Sequence, residues 1–189
     1  MKVGHQHNFV TISTLMKAIS QLKMMSERWV ESWARIFTFD TIIGNTDRHH
    51  DNWGLIWSLV SGEMSATLAP AFDNGTSLGH EIIEKNIAKF EDTGAMIRYI
   101  SRGTHHARWQ RNDPEKQQHF IFLKKYLEKY PSTRQIVLNC LKFDSTKLIE
   151  VIYQLTQFDV LVPLTENRAE FMVNLVETRR LELLRVLEA

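Results

Sequence analysis

Apolar residues recur at helical spacing along most of the chain, and only one short stretch reads as extended. Trp29, Val30, Trp33, Ile36, Phe37 and Ile43 predict a long amphipathic helix. Ser26 stands where an N-cap belongs, with Glu27 in the first turn, and Gly44-Asn45 supply residues that tolerate a left-handed end. Ahead of it, Leu15, Ile19 and Leu22 predict a shorter helix over Ser13–Met25, and residues 1–12 carry no clear period. Trp53–Val60 is short, apolar and aromatic, as buried strands are. Ser61-Gly62 then makes a turn, and Met64–Ala69 returns as a second strand stopped by Pro70.

Beyond Gly79 the pattern is helical again. Helices are expected over His80–Phe90, Thr93–Ser101, Pro114–Tyr130, Thr133–Leu141, Ser145–Thr156 and Thr165–Leu187, with Pro131 and Pro163 as punctuation. No repeat or flexible linker interrupts residues 1–189, which read as a single domain: mainly α (α+β), a helical bundle with one small β-hairpin. Trp29, Trp33, Trp53 and Trp57 are expected in the core, and Cys140 as a small buried residue on an apolar helix.

Composition narrows the classes without choosing among them. Hydrophobic residues make up 43% and charged residues 24% of 189, ordinary values for a globular chain with a useful core. The formal net charge of +1 gives no reason to expect a nucleic-acid or membrane partner. One cysteine excludes an internal disulfide, and neither a signal peptide nor a long apolar span appears, so a cytoplasmic location is expected.

The chemistry concentrates between Ile43 and Gly79. Asp47 follows the long helix, Asn52 comes four residues after it, and Asp73 precedes Asn74-Gly75 beyond the hairpin. Protein kinases use this order: a catalytic-loop Asp, a metal-binding Asn, two short strands, then a metal-binding Asp before a Gly. Phosphoryl transfer needs divalent ions on phosphate oxygens, and Mg²⁺ prefers hard oxygen ligands and keeps several waters. A hairpin brings Asn52 and Asp73 side by side, and Asp47 can then accept a hydroxyl proton.

Ile43-Gly44-Asn45-Thr46-Asp47-Arg48-His49-His50-Asp51-Asn52-Trp53-Gly54, followed by Leu68-Ala69-Pro70-Ala71-Phe72-Asp73, resembles the C-terminal domain of HipA-like kinases. The family pattern is close to N-T-D-x-H-x-x-N and then L-x-P-x-[FY]-D. The helix carrying Glu166-Asn167-Arg168-Ala169-Glu170-Phe171 is also similar to the family's closing helix. The resemblance implies a protein-kinase-like C-terminal lobe using Mg²⁺ and ATP on a serine or threonine of a protein substrate. It assigns catalysis to Asp47 and metal binding to Asn52 and Asp73. His49 joins the cofactor site, bracing the loop by hydrogen bonding. Some members are toxins paired with a DNA-binding antitoxin. Asn74 departs from the apolar residue of the usual Asp-Phe-Gly, so no switch built on that aromatic is expected.

A kinase also needs a glycine-rich loop and a strand lysine. No trio of glycines here fits G-x-G-x-x-G, and the lysines ahead of Asp47 are Lys2, Lys17 and Lys23. The N-terminal lobe is therefore expected to be absent from these residues. A fragment or truncated gene product is the favoured explanation, with half of a split kinase and an inactive remnant as the others. Such a chain should turn over little alone.

Other readings compete. A noncatalytic interaction module would bind a separate N-lobe or an antitoxin-like protein. A metal-dependent nuclease or hydrolase would use the same residue types but leaves the Asp-hairpin-Asp order unexplained. His49, His50 and Asp51 raise a zinc reading, with His5 and His7 as further ligands. Adjacent histidines usually point apart, and no HExxH or cysteine pair accompanies them, so His50 and Asp51 are expected to be ordinary exposed residues. Arg98–Arg111 is the most basic stretch and is expected to be a solvated helix face and loop.

Overall fold

The computed structural model describes residues 8–25 and 27–188. The expected Ser26 cap and the candidate ligands His5 and His7 lie outside them. Seven α-helices are found among the described residues, with one antiparallel hairpin between the second and third and three short 3-10 segments. The mainly helical expectation with one hairpin is met.

The first helix, α1 (Phe9–Gln21), starts four residues earlier than the apolar pattern predicts. Asn8 explains the early start: its side-chain oxygen accepts from Thr11 N at 2.9 Å and caps the first turn. The inward stripe is Phe9, Ile12, Met16 and Ile19, whereas Leu15 and Leu22 face out. Phe9 is fully buried in an aromatic cage of Phe37, Trp109, Phe122, Tyr126 and Tyr130. That cage ties α1 to α2 (Trp29–Ile43), the axis of the main core, where Trp33 and Phe37 are buried.

Gly44 ends α2 at φ +69°, and its N–H donates to Asp40 O. A Cβ on Gly44 would lie 2.7 Å from the Arg179 guanidinium, so glycine is required there twice over. Strands β1 (Leu55–Val60) and β2 (Glu63–Leu68) pair antiparallel from Leu55↔Leu68 to Val60↔Glu63. Ser61 and Gly62 both take positive φ, which fits the right-handed twist of a two-residue hairpin turn. The hairpin is not buried as its composition predicts. Residues 56–60 are exposed, and Trp57 keeps 48% of its surface, so it is not a core residue. Only β2 is fastened down. Ala66 N donates to Met24 O, Leu68 N donates to Glu27 Oε1, and Ala66 and Leu68 are buried.

The rest of the chain adds to two apolar clusters, one of them built on α2. The stretch expected as a helix at His80–Phe90 is a turn followed by a 3-10 segment, Glu84–Glu91. Helix α3 (Thr93–Arg102) leads into a loop that runs inward before α4 (His119–Lys129). That loop is why α4 starts five residues after Pro114: Thr104 bridges Gln118, and His105 N donates to Gln117 O. The basic stretch is thus split. Arg98 and Arg102 are solvated on α3, while His105 turns into the core. Helices α5 (Arg134–Cys140) and α6 (Ser145–Gln154) follow, with Cys140 only half-buried. The closing helix α7 (Glu166–Glu188) packs its two halves against two adjacent apolar clusters. No helix among the described residues is long and apolar enough to cross a membrane.

Phe9 is the first residue of α1, yet it is fully buried within the aromatic cage. Truncating a buried Phe to Ala costs about 3–5 kcal/mol. Phe9→Ala should therefore lower the urea midpoint sharply, and an unchanged midpoint would refute its place in the core.

Candidate active site

Asp40 is the seed of the site. It lies in the last turn of α2 within an otherwise apolar run and is fully buried. A lone buried carboxylate is costly, so its partners matter. Arg48 supplies a two-pronged ion pair, Nε to Oδ2 at 3.1 Å and Nη2 to Oδ1 at 2.7 Å. Asn45 Nδ2 donates to Oδ1 at 3.1 Å, and His105 Nε2 lies 3.4 Å from Oδ2. Burial alone would raise the Asp40 pKa. Hydrogen bonds from His105 and Arg48 outweigh that effect and hold it below the usual value.

Arg48 is itself fully buried, and all of its donors are used. Besides Asp40, Nη1 donates to Asn52 O at 2.8 Å and to Phe72 O at 2.5 Å, and Nη2 donates to Asn74 Oδ1 at 2.6 Å. Five N–H groups meet five acceptors. One guanidinium therefore fastens the loop after α2 to the loop after β2. Asn45 adds a second fastening. Its Oδ1 accepts from Asp47 N at 2.9 Å and from Thr76 Oγ1 at 3.1 Å. Its carbonyl is 2.8 Å from His119 Nε2.

These braces place the residues singled out in the sequence. Asp47 is 39% exposed at its side chain, between His106 Nδ1 at 3.3 Å and His49 Nε2 at 3.8 Å. Asn52 is buried, and its Nδ2 donates to Asp47 O at 2.7 Å. That bond fixes the amide so that Oδ1 remains for a cation. Asp73 is exposed at φ +51°, a conformation Asp tolerates, between a held Phe72 carbonyl and a held Asn74 side chain. Asp47 and Asn52 touch directly, and Asp73 is linked to Asn52 through Arg48. An amide oxygen and a carboxylate make a hard donor set, so these residues fit Mg²⁺. An apolar groove of about 480 Å³ beside α2, lined by Thr38, Ile42, Cys140 and Leu148 among others, includes none of the three.

His49 hydrogen-bonds within the loop. Its Nδ1 accepts from Asp51 N at 3.2 Å, a bond at the surface, while the buried bracing belongs to Arg48 and Asn45. The residues beneath the site were not singled out from the sequence. Asp40 carried a signal, since a carboxylate inside Ile36–Ile43 has to find a buried partner. His105 and His119 carried none, because the loop and helix that present them are distant in sequence.

Residues 2–140 match the family model of the HipA-like C-terminal domain. The chain belongs to that family. A crystal structure of a Helicobacter pylori proinflammatory kinase, CtkA, has the same fold at a TM-score of 0.65 and 22% identity. The alignment covers 84% of this chain and 52% of that one, so the chain spans about half the length of that structure. No curated protein matches the chain. Within this HipA-like domain, Arg48 and Asn45 are the residues that hold the two motif loops together.

Two imidazoles, His119 buried and His106 half-buried, couple the site to pH. Burial, with the Arg179 charge nearby, depresses His119 to about 3, and burial with Lys116 depresses His106 to about 4. An unfolded histidine titrates near 6.5, so below that pH the unfolded chain binds protons that the folded chain refuses. Stability is therefore lost on acidification from about pH 6.5 downward, with Asp40 adding its loss only in stronger acid. At pH 5 the His119 contribution is about 2 kcal/mol. His119→Gln should flatten the fall in urea stability between pH 7 and pH 5. An equally steep fall in the variant would show that His119 is not buried neutral.

Proposed function

We propose that this chain is the catalytic C-terminal lobe of an ATP-dependent serine/threonine protein kinase. Asp47 is the base, and Asn52 Oδ1 and Asp73 are the oxygen ligands for Mg²⁺. The observation carrying the reading is the Asn52 amide. Its nitrogen is committed to the Asp47 carbonyl, so its oxygen is presented without adding a negative charge beside Asp47. Bound Mg²⁺ supplies charge neutralisation on the phosphates.

The residues of the chain divide the remaining work. Arg48 and Asn45 fix the backbone on either side of the cation ligands, so little reorganisation is left when nucleotide arrives. The half-exposed Asp47 carboxylate can orient a substrate hydroxyl and take its proton as the oxygen bonds to the terminal phosphorus, while the bond from that phosphorus to the bridging oxygen breaks and ADP leaves. His49 and His106 flank that carboxylate and narrow the directions from which a hydroxyl can approach. The sequence offers no glycine-rich loop, so tight phosphate binding has to come from an N-lobe polypeptide.

The exposed apolar strand β1, with Ile56, Trp57, Leu59 and Val60, favours a second reading. On it the chain is a noncatalytic module that binds an N-lobe or an antitoxin-like protein. The two readings separate on mixing with a polypeptide carrying a glycine-rich loop and strand lysine. Under the kinase reading, the mixture consumes ATP, and Asp47→Ala reduces the rate by about 10²-fold or more. Asp73→Ala should abolish it. ATP consumption that survives both substitutions sinks the kinase reading. The 189-residue chain alone should bind MgATP more weakly than the low micromolar range, as calorimetry would measure.

A further inference from the structure

The outward side of the Asp47 loop carries a second donor set of different chemistry. His49 N donates to Asp47 O at 2.7 Å and Asn52 N to His49 O at 3.0 Å, so residues 47–52 form a tight turn. The turn overrides the usual divergence of adjacent side chains. The His49 and His50 ring centroids are 5.8 Å apart, and both rings reach Asp51. One ligand atom from each of His49, His50 and Asp51 lies within 4.8 Å of the others. His50 Nε2 is 3.3 Å from Asp51 Oδ2, and His49 Nδ1 is 3.8 Å from the same oxygen. Four-coordinate zinc with bonds of about 2.0–2.1 Å sets neighbouring ligand atoms about 3.3–3.4 Å apart. One edge already matches, a second needs a few tenths of an ångström, and the third closes by rotating the exposed His50.

A separate observation says which way His49 would serve. With Nδ1 turned toward Asp51, its Nε2 faces Asp47 Oδ2 at 3.8 Å. Metal-bound histidines characteristically donate their other N–H to a carboxylate, which fixes the tautomer and ring direction. Here that carboxylate is Asp47. The donor set is imidazole-rich, so it selects borderline divalent ions such as Zn²⁺, Co²⁺ or Ni²⁺ over Mg²⁺.

We propose that His49 Nδ1, His50 Nε2 and the Asp51 carboxylate form a transition-metal site on the outer face of this loop, the ion displacing the exposed Asp51 N–H from His49 Nδ1 and water completing the coordination. Occupancy draws the His49 N–H onto Asp47 and takes that oxygen away from a substrate hydroxyl. The site is therefore inhibitory, and that consequence rests on the reading of Asp47 as the base. The metal site itself does not.

The test is titration of the 189-residue chain with Co²⁺, followed by its visible absorption. The site predicts the strong bands of four-coordinate cobalt, bleached by stoichiometric Zn²⁺ and unaffected by millimolar-scale Mg²⁺. His50→Ala and Asp51→Asn are surface changes that leave the fold intact, and each should weaken Co²⁺ binding by about tenfold or more. Asp47→Ala should weaken it too, because it removes the carboxylate behind His49. Cobalt binding unchanged in His50→Ala and Asp51→Asn would overturn the site. In the reconstituted mixture, Zn²⁺ should inhibit ATP consumption of the parent chain and spare His50→Ala. Cobalt binding that depends on His50 without such inhibition would overturn the inhibitory role alone. Loss of the kinase reading shows separately, as insensitivity of turnover to Asp47→Ala.

Discussion

The site depends on a buried ion pair. Asp40 and Arg48 are both fully buried, and in such surroundings the desolvation of two charges can exceed their attraction. The pair is therefore poorly explained as a source of stability. Its geometry explains it better. A guanidinium that spends every donor on fixed acceptors cannot rotate, and three of those acceptors belong to Asn52, Phe72 and Asn74. The ion pair converts the end of one rigid helix into the position of two loops.

The remainder of the fold keeps that helix end in place. Aromatic side chains from α1, α4 and the loop before α4 surround Phe37, one turn ahead of Asp40. From the opposite side, buried Arg179 on α7 donates to Thr41 O at 3.1 Å and fills the space above Gly44. His105 and His119 close the polar pocket, one beside Asp40 and one on the Asn45 carbonyl. Burial depresses His119 far enough to keep it neutral, which avoids adding a second cation beside Arg179. Helices remote in sequence thus converge on a single turn of backbone.

The helical character, the long second helix, its glycine end and the hairpin were all legible from spacing. So was the order Asp47, Asn52, Asp73, because loop residues with fixed chemistry show themselves as motifs. What escaped was tertiary. The start of α1 depended on Asn8 capping a helix whose inward residue, Phe9, has no periodic neighbour ahead of it. The exposure of Trp57 could not be read from composition, since an apolar strand and a buried strand look alike in sequence. The buried bracing falls to Arg48, beneath the surface bond that His49 makes, because only the side chain turned inward at that bend can reach Asp40. Whether residue 48 or 49 faces in is decided by the turn, and the turn is decided by contacts 24 and 26 residues away, at Phe72 and Asn74.

That division of labour within one hexapeptide has a chemical consequence. Positions that point inward, Arg48 and Asn52, are buried and hydrogen-bonded, and they fix the backbone. Positions that point outward, Asp47, His49, His50 and Asp51, keep accessible donors of two kinds. On the readings proposed above, Asn52 Oδ1 and Asp73 would hold a hard cation beside the Asp47 base, and His49 and His50 with Asp51 would hold a softer one. His49 stands between them, with one nitrogen toward Asp51 and the other toward Asp47. A loop held this rigidly cannot adapt to one ion without presenting a changed face to the other, so the two chemistries are coupled through a single ring.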